Sequence, residues 1–560
     1  MTEIFTNAAV TTMDEGRPKA EAFAVRDGVF TFVGTREEAQ EYARRLESEG
    51  ESVTFTDLSG RSVLPAFQDS HMHFVGFSKH FINVDLNGCD SIEMIQQRLR
   101  DSIGQRSQRG SCGPDARTDE NAWLEATGWN QDYFTKGEKR FPTAKDLDAA
   151  VGDRPVIALR VCEHVGVLSS AGMRLLGLTK EKVQELGEFA LTDEAGEPLG
   201  IFREKVLDRI RSQVHILNRE ILEDIILKGQ EEALSYGLAT IHTDDIGFMP
   251  DEDYHLLFSV YRDLLERGEL KIRICQQSLR QRPELIRKYY EDGFRYGGGN
   301  HHLRVTGIKL LGDGSLGART AGLRRPYADD PSTCGLTIFT EEQMDELVKT
   351  AHDLGYPVLV HAIGDRTIEM VLDALERDKK NRKPEESFRD GVVHVQITDG
   401  ELLDRFRKQD VMALVQPIFI DYDMHIVRQR TGDMADTSYA WKTLADKGVH
   451  VSFGTDCPVE SCEPLPNIYT AVTRRGLTGE ERPAYRPEER MSVYEAVRSY
   501  TVEGAYASGE EDLKGRIREG MLADFIIPDR DLFSLADPEE LRESKILATY
   551  IDGEKVYERA

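Results

Sequence analysis

SVLPAFQDSHMHF, residues 62–74, sets a β-branched apolar run directly ahead of two histidines spaced two apart. SVLPAF (62–67) reads as a strand, and along an extended chain residues i and i+2 face the same side, so His71 and His73 bring two imidazoles together just beyond it. Neutral imidazole is a common ligand of zinc and related divalent ions, and this spacing delivers two without contorting the backbone. Two surface histidines flanking a loop would read the same way, so the meaning of the pair depends on the rest of the chain.

Seven further runs of the same kind follow: LATIHT (238–243), LKIRICQQ (270–277), LRVTGIKLL (303–311), YPVLVH (356–361), GVVHVQ (391–396), VMALVQP (411–417) and HVSFGTD (450–456). Segments of helical period separate them. After YPVLVH, Ile368, Val371, Leu372 and Leu375 recur at i, i+3, i+4 and i+7 behind Asp365, read as the N-cap. Strands alternating with helices predict parallel pairing, and eight of them predict an α/β fold of the (β/α)8 TIM type rather than an open doubly wound sheet.

Outside the runs, AFAVRDGVFTFVG (22–34) and ATYIDGEKVYERA (548–560) each place Asp-Gly between alternating strand-like segments and read as β-hairpins. Residues 1–62 and 510–560 are therefore expected to form one small β-sandwich from both termini, with 63–509 as the barrel. About 170 residues separate the first two runs, far more than a βα connection needs, so an inserted subdomain is expected at about 80–210. The whole gap would hold a helix from near Ser91, the polar loop 106–121, the strand-like PVIALRV (155–161) and a helix ending at Tyr236-Gly237.

The 560 residues carry a net charge of -28, a field that repels phosphate backbones and argues against nucleic acid as a partner. No apolar stretch approaches the roughly 20 residues needed to cross a bilayer, and no secretory signal is readable at the start, so a cytoplasmic protein acting on a small molecule is expected. A homodimer is the expected assembly. The seven cysteines lack paired spacing and read as reduced thiols.

Functional groups of such a barrel sit at the C-terminal ends of its strands. His361 ends the fifth run, His394 lies within the sixth, Asp456 closes the eighth and Lys309 falls late in the fourth. A single histidine on an apolar strand is usually a satisfied core residue; four strand-end positions agreeing in type are harder to dismiss. A buried ammonium would repel metal ions, so Lys309 needs a chemical reason: desolvation favours its neutral amine, which can add carbon dioxide to give a carbamate able to bridge two metals. The alternative is a lysine that reaches solvent or pairs with Asp313.

Taken together, PAFQDSHMHF, GIKLLGDGSLGART, VLVHAIGDR, VVHVQ, VSFGTDCPVE and LKGRIREGMLADFIIPDRD resemble the amidohydrolase superfamily over the whole chain. The likeness is to the long-chain branch that holds N-substituted formamide deformylase and YtcJ-like proteins. The resemblance implies that His71, His73 and Asp456 bind one metal, that His361 and His394 bind a second, and that Lys309 bridges them as carbamate. Zinc is the expected ion, one or two per chain. The resemblance also implies that Trp129, in GWNQ (128–131), and His164, in VCEHVGVLSS (161–170), face the substrate. The chain departs from the pattern at Asn130, at Gln68 and at Val393, where a glutamate that would orient His394 is frequent.

The expected reaction is hydrolysis of an amide or other non-peptide carbon–nitrogen bond by water activated at the metal, with Asp456 as proton carrier and His164 holding the carbonyl. Asp313 and Arg319 are candidates for binding polar substrate groups, Arg319 being equally readable as a solvated loop cation. A deaminase or isomerase with the same cage, and a non-catalytic regulatory protein retaining it, are the alternatives. No Gly-x-Ser-x-Gly elbow or Gly-Lys-Ser/Thr phosphate loop is present, and the chain reads as lacking a dinucleotide fingerprint.

Overall fold

The computed structural model describes residues 1–108, 123–161, 164–211, 213–214, 217–383, 387–478 and 483–559. These fall into two compact units, one of Met1–Phe74, Gln230–Gly247 and Tyr261–Ala560, the other of Val75–Gly229 and Phe248–Val260.

The first unit contains a nearly closed, all-parallel sheet of eight strands: β1 (Phe67–Met72), β2 (Leu238–Thr243), β3 (Arg273–Leu279), β4 (Leu303–Leu311), β5 (Val358–Ala362), β6 (Gly391–His394), β7 (Met412–Val415) and β8 (Val451–Phe453), hydrogen-bonded in that order. Beyond β8 the turn back to β1 is made by the Asp456 N–H donating to the His71 carbonyl at 2.8 Å and the His73 N–H to the Cys457 carbonyl at 2.7 Å. The buried Asp69 carboxylate accepts from the Thr455 N–H and hydroxyl across the same seam. A Cβ at Gly454 would come within 2.6 Å of the His71 nitrogen, so only glycine lets the end of β8 approach β1 this closely.

Two expectations are corrected here. The run 62–67 is not one strand: Ser62–Pro65 joins a six-stranded sheet of the terminal regions, and β1 begins at Phe67. The chain changes sheets at Ala66, whose N–H donates to Asp524, just after Pro65, which has no N–H to offer a continuing ladder. β1 consequently runs to Met72, with His71 inside it. Asp365 is the first residue of the helix Asp365–Lys380, not its cap; Gly364 holds the cap position and the Asp365 carboxylate accepts from the Arg324 N–H.

Both termini contribute to two sheets of this unit. Thr2–Thr6, Ala22–Arg26, Val29–Gly34 and Val53–Asp57 form four strands; Ala9–Thr11, Lys19–Ala20, Ser62–Pro65, Phe525–Pro528, Ile546–Ile551 and Glu554–Glu558 form six. Asp27-Gly28 and Asp552-Gly553 turn the two hairpins with positive φ at both positions, the geometry Asp-Gly tolerates best. The sheets share an aromatic core in which Phe5 stacks on Phe23 at 4.8 Å and Phe525 on Tyr550 at 4.2 Å. The fully buried Arg273 of β3 ties the barrel to them through Asp524 and Asp552.

The second unit has its own mixed six-stranded sheet, with Val165–Leu168 and Val156–Arg160 at its centre and Leu124–Trp129 beside the latter, and its own core around Leu99, Trp129, Phe134 and Leu147. The helix Ile92–Gln108 begins after Ser91, whose hydroxyl accepts from the Met94 N–H. Most of the expected polar loop 106–121 lies outside the described residues.

Candidate metal centre

The barrel register sets the level of the site. Leu311 pairs with His361 and Ala362 with His394, so the ends of β4, β5 and β6 meet at one height. His394 and Asp456 stand at φ of 80° and 58°, left-handed conformations that break the strands just where these side chains project.

Three ligand atoms converge. Asp456 Oδ1 lies 3.3 Å from His71 Nε2 and 3.1 Å from His73 Nε2. Such a group of two imidazoles and one carboxylate, all within 4.8 Å, is the arrangement that holds a metal ion. The His394 ring packs 5.9 Å from that of His71 and 4.4 Å from that of His361. Lys309 is buried, with Nζ 3.0 Å from His71 Nε2. The six strand-end residues are therefore neighbours in the barrel mouth.

The hydrogen bonds fix which imidazole nitrogen is free. The Gln277 amide donates to the Ser70 carbonyl, which turns its oxygen toward His71 Nδ1 at 3.1 Å; that nitrogen must carry the proton, leaving Nε2 a lone pair. Gln416 does the same for His394 Nδ1 at 2.7 Å, and the Asp244 carbonyl for His73 Nδ1 at 3.4 Å. His361 is reversed: its Nε2 faces the Gly314 carbonyl at 3.2 Å and Asp313 Oδ1 at 3.3 Å, so Nδ1 is the edge left with a lone pair. Every imidazole thus offers one lone pair while an oxygen holds its opposite edge, the hallmark of a metal-ligating histidine, and the residues fit a bound divalent cation.

Electrostatics agree. Burial pushes His71 down to about 3, and the Lys309 ammonium adds to the effect; burial and His361 hold His394 well below the imidazole range. Both shifts favour the neutral imidazole that a metal requires. Burial opposes ionisation of Asp456, yet His71 and His73 keep it an anion, and Asp456 in turn raises His73 despite burial. In the bare cage a proton on His73 therefore competes with the metal. Burial lowers the Lys309 pKa against the pull of Asp244 and Asp456, favouring the amine.

Four site readings are corrected. Lys309 does not pair with Asp313; its nearest carboxylate is Asp244, 4.0 Å away. Asp313 is buried and accepts from the N–H groups of Gly322, Ile363 and Gly364, so it organises the loop after β4 and orients His361 rather than meeting substrate. The Arg319 fork is engaged by both oxygens of Asp329 and is a loop-stabilising cation. In the second unit, Trp129 is fully buried with its indole N–H on the Ala158 carbonyl, a core residue with no face left for a substrate. His164 is exposed, its Nδ1 2.9 Å from Glu204.

Val393, expected to leave His394 unoriented, is compensated by Gln416 from the next strand. Sequence reading missed Gln277, Gln416 and Asp244, although the first two sit at the ends of runs already recognised as strands and Asp244 directly follows one. It also passed over Gly312-Asp313-Gly314-Ser315-Leu316-Gly317, which spells Gly-x-Gly-x-x-Gly directly after β4. No helix opens there; the next begins at Glu341, so the helix N-terminus a dinucleotide site requires is missing.

A parallel barrel with imidazoles and a carboxylate gathered at its C-terminal rim defines the class of metal-dependent hydrolases. The family model described as "Amidohydrolase family" matches residues 54–557, and the chain belongs to that family. It is 30% identical over its full length to YtcJ of Bacillus subtilis, also matched over its full length, whose name places it among the amidohydrolases. It is 23% identical to N-substituted formamide deformylase of Arthrobacter pascens, over 99% of this chain and 98% of that one. A solved metal-dependent hydrolase from Pyrococcus furiosus superposes with a TM-score of 0.77 at 30% identity, covering 95% of this chain and all of the other.

Proposed function

We propose that the protein hydrolyses an amide or other non-peptide carbon–nitrogen bond of a small molecule. The observation that carries this reading is the convergence of His71 Nε2, His73 Nε2 and Asp456 Oδ1, with the far edge of each ring held by an oxygen acceptor. His361 Nδ1 and His394 Nε2 would hold a second cation, and Lys309 as carbamate would bridge the two. A divalent cation, zinc by donor type, supplies polarisation of a carbonyl and a water of lowered pKa, near about 7 instead of 15.7.

The chain's own residues do the remainder. Asp456 is positioned to accept the proton of the attacking water and return it to the leaving nitrogen, which spares an amine anion as leaving group. Gln277 and Gln416 keep His71 and His394 from rotating, so that their Nε2 lone pairs would stay aimed at a bound cation. Burial shifts Lys309 toward the neutral amine that carbon dioxide addition requires. The two sheets built from the termini are read as a β-sandwich that braces β3 through Arg273.

The test is metal analysis of purified protein together with release of amine and acid from a panel of N-substituted amides and formamides. Bound divalent metal, with turnover lost on chelation and in His71→Ala and Lys309→Ala, is expected; full turnover in metal-free protein would overturn the reading. Labelled carbon dioxide should give a carbamate carbon resonance that is absent from Lys309→Ala.

A further inference from the structure

Asp244 follows the last residue of β2, and nothing in its local sequence marks it as part of the centre. Three observations place it there. Its main-chain carbonyl holds His73 Nδ1 at 3.4 Å, which fixes the tautomer of a ligand. Its side chain is 4% exposed, with Oδ2 4.0 Å from Lys309 Nζ. Its Oδ1 is buried with no hydrogen-bond partner among the described residues. A carboxylate with an unmet oxygen and no solvent is costly unless a cation compensates it.

Charge counting says which cation. With the four imidazoles neutral as ligands and both carboxyls ionised, the buried cage holds two negative charges, Asp456 and Asp244, and one ionisable amine; burial raises the Asp244 pKa against the pull of Lys309 and His73, so its charge depends on a cation beside it. An ammonium on Lys309 cancels one charge, a neutral amine none, and a carbamate adds a third. In each of these states the cage has a net negative charge, which a divalent ion offsets.

We infer that Asp244 is a seventh residue of the metal centre, whose carboxylate acts as a counter-charge that sets the affinity for the divalent ions while its carbonyl orients His73. This rests on the metal-dependent reading above and goes beyond the six strand-end residues. Asp244→Asn keeps the side chain's volume and the main-chain carbonyl and removes only the charge.

The experiment strips wild type and D244N of metal and measures zinc affinity by competition with a chromophoric chelator. Zinc uptake by the wild type and a loss of about 10- to 100-fold in D244N, with unchanged circular dichroism of the metal-free proteins, is expected from the effect of residues that support metal ligands. Equal affinities would overturn the role of Asp244 and leave the metal reading standing; no zinc uptake by the wild type would overturn both. Repeating the pair in a Lys309→Met background separates the mechanisms. A loss that persists supports the counter-charge, and one that vanishes shows the carboxylate merely pairing with the lysine, against the inference. Asp244→Ser, which leaves room for water, is the second variant; failure of both variants to fold would make Asp244 a structural residue and overturn the assignment.

Discussion

Gln416 Oε1 lies 2.7 Å from Nδ1 of His394, and this contact, made from β7 to β6, decides which edge of the ring faces the barrel mouth. Gln416→Leu removes the acceptor at similar volume and lets the imidazole change tautomer. Metal affinity is expected to fall about 10- to 100-fold, with little change in the far-ultraviolet spectrum. Chelator competition on the purified variant measures it.

Asp456→Asn retains an oxygen for the metal and abolishes the base. On any substrate the panel identifies, kcat should fall by about 100-fold or more, in the range general acid–base catalysis contributes. Metal content should fall less steeply than turnover, so parallel metal analysis and kinetics separate the two roles.

His352 sits between Asp378 and Asp390, with Nδ1 2.6 Å from one and Nε2 3.0 Å from the other. Burial disfavours its charge, but the Asp390 and Asp378 carboxylates lift its pKa to about 9. The folded pKa exceeds that of the unfolded chain, so the stabilisation is fully present below about pH 6.5 and is lost as pH rises through 9, a contribution of about 3 kcal/mol at most. The thermal midpoint should drop between pH 7 and 9.5, and His352→Gln should lower it at pH 7 while flattening that dependence. A wild-type midpoint unchanged over this interval would refute the coupling.

Trp129→Ala opens a cavity in the core of the second unit and leaves the barrel untouched. Unfolding of that unit should become easier by about 3–5 kcal/mol, while bound metal per chain stays unchanged. Denaturant titration and metal analysis of the same preparation check both halves.

Arg273 and Asp524 meet through two 2.8 Å contacts in the barrel's junction with the terminal sheets. Asp524→Asn leaves a buried guanidinium short of charge and should cost about 3–5 kcal/mol, whereas replacing both partners with apolar residues of similar size should cost much less. Denaturation midpoints of the single and double variants decide it.

Much of the barrel is legible because a strand end carries its own signal: LATIHT and LRVTGIKLL coincide with β2 and β4 residue for residue. His71 and His73 are legible as a pair because period-two geometry is local. What misleads is the polar residue whose partner is distant in sequence. Asp313 reads as a substrate group, and Arg319 equally as one or as a loop cation, until three backbone amides and Asp329 are found to engage them. Trp129 reads as a site residue until its indole is seen closed into a core. Gln277 and Gln416 carry no charge and match no motif, so only the hydrogen bond each makes reveals its task.

The sequence by itself determined the parallel barrel, the order of its strands and the residue types at their ends, because side-chain period and turn chemistry act over a few residues. Only the tertiary structure decided which nitrogen of each histidine is free, which carboxylate faces Lys309, and how Asp69 and Gly454 let β8 meet β1. Those depend on groups hundreds of positions apart, such as Asp69 and Thr455, brought within 3.2 Å when the sheet curls round on itself. No local pattern encodes a distance of that kind.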